Sequence, residues 1–274
     1  MAGTNMNETR TKPATTQLLT LHVLRRERVT PHVERVTLGH GDVEAFRPMG
    51  FDQWFRLFIP VPGGTLERVP QKLDTVSYLK FLLLTRSQRP VLRNYTVRDY
   101  RATGPDGPEL DVDVVLHGSV AEGTAGPAAT WAQTCRAGDP VAILDEGVSF
   151  RLPQDAEQVL LVADETGLPA VAGILASLPD GVSGRALVEL PSDADRQDIG
   201  HADVELTWLP RTDEHAIPGR LALAAAAEMP LPDDGSYGWV VGEQGLASGV
   251  RRLWVDAGLP KDRLTFCGYW KARY

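Results

Sequence analysis

The run Arg93-Asn94-Tyr95-Thr96-Val97-Arg98 brings a guanidinium, a phenol ring and a hydroxyl into one short β-forming stretch. In a strand, alternate side chains share a face, so Arg93, Tyr95 and Val97 point one way and Asn94, Thr96 and Arg98 the other. At a strand end beside a cleft, such residues suit a large ligand that carries both a phosphate and a flat ring. Arg93 would make charge-assisted bonds to the phosphate, worth about 1.5–3 kcal/mol each. Tyr95 would lie against the ring for about 0.5–1.5 kcal/mol beyond its burial. Thr96 would offer its hydroxyl or amide to the ring edge. The same residues also fit an amphipathic edge strand that binds nothing.

Three later segments have chemistry of their own. His117-Gly118 precedes Gly126-Pro127-Ala128-Ala129-Thr130-Trp131-Ala132, where a glycine, an early proline and good helix formers mark a helix start. Free amides there, the macrodipole and the Thr130 hydroxyl would attract a phosphate. His117 reads either as a ligand contact or as a structural hydrogen-bonding group at a strand end. Asp164-Glu165-Thr166-Gly167-Leu168-Pro169-Ala170 follows an apolar strand and opens a helix, the place where an α/β domain holds a nucleotide. Pro169 presets the helix start, Thr166 can donate, and Asp164 and Glu165 can accept ribose hydroxyls or cap the helix. Glu243 closes a strand at a Gly-Glu turn, and the chain finishes on Gly268-Tyr269-Trp270-Lys271.

Two kinds of element must position these residues. From Leu18 to Leu144 the apolar pattern forms short β-type runs at Leu18 to Leu24, Val33 to Leu38, Trp54 to Ile59, Leu92 to Tyr100, Leu110 to His117 and Val141 to Leu144. Six strands with polar interruptions predict a small antiparallel barrel. The stretch Val61 to Lys80, with Pro62, Gly63, Gly64 and Pro70, reads as a surface excursion. Beyond Pro153, strands at Val159 to Ala163, Ala186 to Leu190, Val204 to Leu209, Trp239 to Val241 and Leu264 to Tyr269 alternate with helices at Leu168 to Leu178, about Pro218 to Glu228 and Gln244 to Asp256. That rhythm predicts a parallel sheet covered on both faces. The expected organisation is a disordered tail over 1–16, a barrel over 17–152 and an α/β domain over 153–274.

At 274 residues and 43% hydrophobic composition the chain can fill two modest cores. A net charge of −8 argues against nucleic acid as a partner. Cys135 and Cys267 are far apart and signal neither a disulfide framework nor a thiolate metal site. The polar N-terminus lacks a signal-peptide core and no apolar run is long enough to span a bilayer, so a cytoplasmic monomer without stable membrane insertion is expected.

A barrel followed by a nucleotide-type domain, with Arg93 to Arg98 matching R-x-Y-[ST]-x-R, resembles the ferredoxin-reductase-like flavoproteins. Within them, the helix start at Ala128-Ala129-Thr130, the turn Asp164 to Ala170 (against D-E-T-A-L-P-A) and the ending Gly268-Tyr269-Trp270-Lys271 resemble the siderophore-interacting proteins. The resemblance covers nearly the whole chain from Leu18. It implies FAD, with Arg93 at the pyrophosphate and Tyr95 and Thr96 at the reacting ring. Val97, Arg98, His117, Gly118, Ala128, Ala129 and Thr130 would be further contacts. It implies NADPH or NADH, or ferredoxin, as electron donor, with Asp164, Thr166, Pro169, Glu243, Tyr269 and Trp270 on the nucleotide side. The implied acceptor is a ferric siderophore, released of its iron on reduction to Fe(II), with no protein-held metal. Arg47, Arg98, Lys271 and Arg273 are candidates for a basic rim facing an anionic complex, and Arg185, Arg196 and Arg211 read either as 2'-phosphate partners or as solvated surface groups.

Three departures from the pattern bear on affinity and substrate choice, the long Val61 to Lys80 excursion being one that would change access. Gly167 in place of Ala is expected to loosen the nucleotide loop, and Asp145-Glu146 to add negative charge near the FAD adenine region. Two competing readings stand beside the ferric-siderophore reductase: a general NAD(P)H:acceptor flavin reductase, and a non-catalytic siderophore-binding protein.

Overall fold

The computed structural model describes residues 3–14, 16–72, 75–85, 87–213, 216–230 and 235–272. The chain forms two compact units, one of Lys12–Met49 with Gln53–Gly147 and one of Met1–Thr11, Gly50–Asp52 and Val148–Tyr274.

The first unit contains β1 (Leu18–Thr30), β2 (Val33–Gly39), β3 (Trp54–Ile59), β4 (Val91–Thr96), β5 (Asp99–Gly104), β6 (Gly107–Val115) and β7 (Pro140–Gly147). They make one antiparallel sheet in the order β4-β3-β7-β1-β2-β6-β5. Strand alternation sends Leu19, Leu21, Val23, Val36, Leu38, Phe55, Leu57, Leu110, Val112, Val141 and Ile143 into one core.

Among the described residues this sheet has seven strands, not the six expected, because Leu92 to Tyr100 is two strands. The Val97 amide donates to the Gln53 carbonyl at 2.8 Å and the Arg98 amide to that of Asp111 at 2.9 Å. The chain thereby changes partner from β3 to β6, and this link joins the two outer strands of the sheet at one corner.

The face of β6 opposite the core carries Glu109, Asp111 and Asp113, all buried. Buried carboxylates persist only when paired. Arg25 holds Glu109 through two bonds of 2.9 and 2.7 Å, Arg101 holds Asp111 at 2.7 and 2.9 Å, and Arg35 holds Asp113 at 2.7 and 2.8 Å. Hydrogen bonding to Arg25, with Arg101 behind it, pulls Glu109 down to about 2. A depressed carboxyl contributes stability that is complete above the ordinary glutamate value and lost as pH falls towards 2. Arg25→Gln is therefore expected to raise the acid-unfolding midpoint of this unit, read by circular dichroism against pH.

In the second unit β8 (Gln158–Ala163), β9 (Ser183–Leu190), β10 (Val204–Pro210), β11 (Ser236–Glu243) and β12 (Leu264–Trp270) form a parallel sheet in the order β10-β9-β8-β11-β12. Val159, Leu161 and Ala163 of β8 face one core with α4 (Leu168–Ser177). Leu160 and Val162 face another with α5 (Arg220–Glu228) and α6 (Gln244–Asp256). The strand order reverses between β8 and β11, which puts the topological switch point at Asp164 and Glu243.

The N-terminal segment is not the disordered tail expected. Around the helical turn α1 (Met6–Thr9), the Asn5 side chain donates to Leu264 O at 2.6 Å and accepts from the Phe266 amide at 2.9 Å. Thr4 bridges Cys267, Thr11 bridges Val148, and Met6 is buried. An asparagine amide that copies a strand's backbone pairing explains why a polar segment adheres to the edge of β12. The unit starts at Val148 rather than at 153 because Asp52 accepts from the Ser149 and Phe150 amides at 2.9 and 2.8 Å.

Candidate functional site

In the first unit, β4 is an outer strand, paired among the described residues only with β3. Arg93 is exposed, and its guanidinium donates to the adjacent Leu92 carbonyl at 2.8 Å. Tyr95 and Val97 are half-buried against the barrel core, whereas Thr96 is buried. Burial pushes the Tyr95 hydroxyl up to about 12 against a weaker pull from Arg93, so the phenol stays protonated.

α3 (Pro127–Thr134) packs against β4. Gly126 leads in with extended backbone, Pro127 begins the helix, and among the described residues no side chain caps its first amides. Ala128 and Ala129 are buried and Thr130 is half-buried. His117 and Gly118 are exposed. Gly118 has φ +72°, and a Cβ there would lie 2.6 Å from the Thr124 carbonyl, so only glycine fits this turn.

Arg98 packs over the β6 carboxylates, its Nε 3.5 Å from Asp113, and desolvation lowers its pKa. Arg47 is exposed and donates to the Glu44 and Phe46 carbonyls at 2.6 and 2.9 Å. Asp145 and Glu146 are both partnered within the first unit. Asp145 accepts from Gln53 at 2.9 Å and from the Gly147 amide at 2.8 Å, and Glu146 pairs with Arg56 at 2.5 Å. A groove of about 480 Å³ lies under the excursion and is lined by Leu18, Pro60, Leu66 and Val69 among others; none of its lining residues belongs to the candidate set.

In the second unit the switch point is built on Asp164. One of its oxygens accepts from the Thr166 amide and hydroxyl at 2.9 and 2.5 Å, the other from the Glu243 amide at 2.6 Å and the Trp270 indole at 3.0 Å. Burial and the Glu165 charge raise Asp164 to about 7, against the pull of those donors. Glu243 accepts from the Ala272 amide at 3.2 Å and from the Gly245 amide, capping α6. The carboxylates of Asp164 and Glu243 are thus occupied by the protein itself. Gly242 has φ +129°, and a Cβ there would sit 2.6 Å from the Asp164 carboxyl.

Gly167 is not the loosening substitution expected. It is buried, and a Cβ would meet Val241 at 2.5 Å and Ala163 at 2.8 Å, so its role is close packing. Pro169 is buried at the start of α4. Tyr269 and Trp270 are half-buried, and burial holds the Tyr269 hydroxyl well above its ordinary value. Lys271 is exposed; Arg273 lies outside the described residues.

Sequence reasoning passed over Glu189 and the real place of Arg211. Arg211 reaches Glu165 at 2.8 and 2.9 Å and Glu189 at 3.0 Å, and Glu189 accepts from the Gly219 and Ala222 amides at 2.8 Å each. A glutamate between Val188 and Leu190 in a buried strand was the available signal, since such a charge needs a partner. Arg211 is therefore committed. Arg185 stands near the start of β9, at the edge opposite the switch point, and pairs with Glu205 at 3.3 Å. Arg196, just beyond the end of β9, is exposed beside Asp193.

Residues 22–150 match the model of a siderophore-interacting FAD-binding domain, and residues 156–273 that of a siderophore-interacting protein. The chain belongs to the siderophore-interacting protein family. Among members and relatives, an uncharacterized protein of Mycobacterium tuberculosis is 32% identical over 69% of the chain, and the match spans 64% of that relative's length. The NADPH-dependent ferric-chelate reductase of Escherichia coli is 28% identical over 92% of each chain. The crystal structure of a siderophore utilization protein from T. fusca superposes with a TM-score of 0.75 at 29% identity, covering 97% of each chain. A ferredoxin reductase of carbazole 1,9a-dioxygenase shares the fold at 17% identity and a TM-score of 0.63, covering 94% of this chain and 71% of its own.

Proposed function

We propose that this siderophore-interacting protein is an FAD-dependent ferric-siderophore reductase, drawing electrons from NADPH or NADH and releasing Fe(II). One observation carries the reading: an exposed arginine on an outer strand and an uncapped helix N-terminus belong to elements in contact, β4 and α3. That pair fits the pyrophosphate of FAD. Arg93 supplies a fork of donors, while the first amides of α3, with Thr130 beside them, supply further donors and a favourable dipole. Tyr95 offers a ring face fixed by the core, and Thr96 a hydroxyl at the ring edge. His117, Gly118, Ala128, Ala129 and Val97 complete the cradle. Arg98, tied to Asp113, positions the turn after β4.

FAD, when bound, accepts two electrons as hydride and passes them on singly, which is what joining a nicotinamide to Fe(III) requires. Siderophores hold Fe(II) far less tightly than Fe(III), so reduction is release and no iron ligand on the protein is needed. At the switch point, Pro169 and Thr166 shape the nucleotide loop, and Asp164 and Glu243 act by fixing Thr166, Trp270 and the turn after β11. Among the three arginines weighed for a 2'-phosphate, Arg196 is assigned that role, being exposed and near the C-terminal end of β9. The NADPH dependence in the name of the Escherichia coli relative supports NADPH as the donor. Lys271 and Arg47 are each exposed, and each is assigned as a cation available to an anionic complex.

The test is anaerobic. With FAD supplied, NADPH should bleach the flavin absorbance and a ferric siderophore should restore it. Bleaching that is restored by a quinone but not by a ferric siderophore would favour the general reductase, and failure to take up FAD would favour a non-catalytic binder.

A further inference from the structure

The excursion between β3 and β4 carries α2 (Thr75–Leu82), whose two faces are both apolar. On one face Phe81 is buried and meets Phe58 edge-on at 5.7 Å between centroids, with Val69 beside them. This anchors the helix to the first unit. On the opposite face Val76, Leu79 and Leu83 follow one another at helical spacing and are 61%, 56% and 84% exposed, with Leu82 alongside at 41%. Leu83 continues the last turn, its amide donating to the Leu79 carbonyl at 3.1 Å. Scattered single leucines on a surface need no explanation, but a stripe held outward by an anchored helix has a use.

Charge indicates what that use is. Residues 61–90 contain Arg68, Lys72, Lys80, Arg86 and Arg89 against Glu67 and Asp74, a net charge of +3 within a chain of −8. Lys80 lies on the same helical face as the leucines and is exposed. Arg89 donates to the Leu82 carbonyl at 3.0 Å, at the end of α2, and Arg68 donates to the side chain of Gln88, the residue next to Arg89, at 2.8 Å. An apolar stripe rimmed by cations is the composition of an interfacial helix, whose leucines enter the acyl boundary while lysine and arginine meet lipid phosphates. The acidic remainder of the chain would be repelled by the same surface, which selects one orientation.

We infer that the α2 face of Val76, Leu79, Lys80 and Leu83, with Arg68 and Arg89, docks the protein reversibly on an anionic lipid bilayer surface. Among the described residues no helix is long and apolar enough to cross a membrane, and the inferred contact is peripheral. It is independent of the reductase reading, because binding is measured without turnover.

The test is co-sedimentation of the full-length protein with vesicles of phosphatidylcholine containing phosphatidylglycerol, against phosphatidylcholine alone. The protein should sediment with the anionic vesicles only, and less so as salt is raised. Leu79→Ser with Leu83→Ser, and separately Arg68→Gln with Lys80→Gln, should each weaken binding by about tenfold, with unchanged thermal unfolding. No binding to anionic vesicles, or equal binding by the variants, would overturn the inference. So would a solution dimer that the leucine variant dissociates, since the stripe would then be an interface between two copies.

Discussion

Replacing Arg93 and Tyr95 together by alanine is expected to give a folded protein that no longer retains FAD. The Arg93 side chain is exposed and its one described bond is to the neighbouring carbonyl, so its removal leaves no buried group unpaired. The lost ligand contacts sum to about 2–4.5 kcal/mol, from one charge-assisted bond and one ring contact. That corresponds to roughly a hundredfold weaker binding. Tyr95 does reach the barrel core, so a moderate fall in melting temperature should accompany its loss, and Arg93→Ala alone separates the two effects. The measurement is flavin absorbance per protein after gel filtration. Full flavin content in the double variant would refute the assignment of β4.

Asp164→Ala should be the most damaging single change in the second unit. It strips the acceptor from the Thr166 amide and hydroxyl, the Glu243 amide and the Trp270 indole. A buried donor left unpaired costs about 1–3 kcal/mol, and water entering the vacated space recovers part, which leaves about 3–5 kcal/mol in urea unfolding. Trp270→Phe removes one of those donors and should cost about 1 kcal/mol. If the two variants are equally stable, Asp164 is not the hub described. The pH dependence has a definite sign. A folded value raised to about 7 means that the native state holds its proton more tightly than the unfolded chain. Stability should therefore fall as pH rises from about 4 to about 7, and Asp164→Ala should lose that slope.

Period-two runs before Leu144 and alternating strand and helix lengths after Pro153 were enough to read both halves, because each pattern reports which face is buried. The break at Val97-Arg98 could not be read, since Leu92 to Tyr100 is uninterrupted in β-forming residues and the change of partner strand is a tertiary event. The N-terminal strap was missed for a related reason: its polar composition looks disordered until Asn5 is seen pairing with Leu264 and Phe266.

At the site, the positions of Arg93, Thr130 and the Asp164 turn on a strand, a helix start and a strand end were readable from local signals. Their occupancy was not. Asp164, Glu243 and Arg211 look like ligand groups in a one-dimensional reading, and the fold satisfies all three internally. Gly167 shows the same limit, because only the nearness of Ala163 and Val241 tells packing from flexibility. The nature of the ligand came from resemblance to a family rather than from spacing.

The most direct test of the central claim is a single anaerobic turnover with an Fe(II) trap. Protein loaded with FAD and reduced by NADPH, then mixed with excess ferric siderophore, should yield two trapped Fe(II) per flavin as the absorbance of oxidised flavin returns, two being the electrons that one hydride delivers. Flavin that stays reduced, with no Fe(II) trapped, would contradict the account.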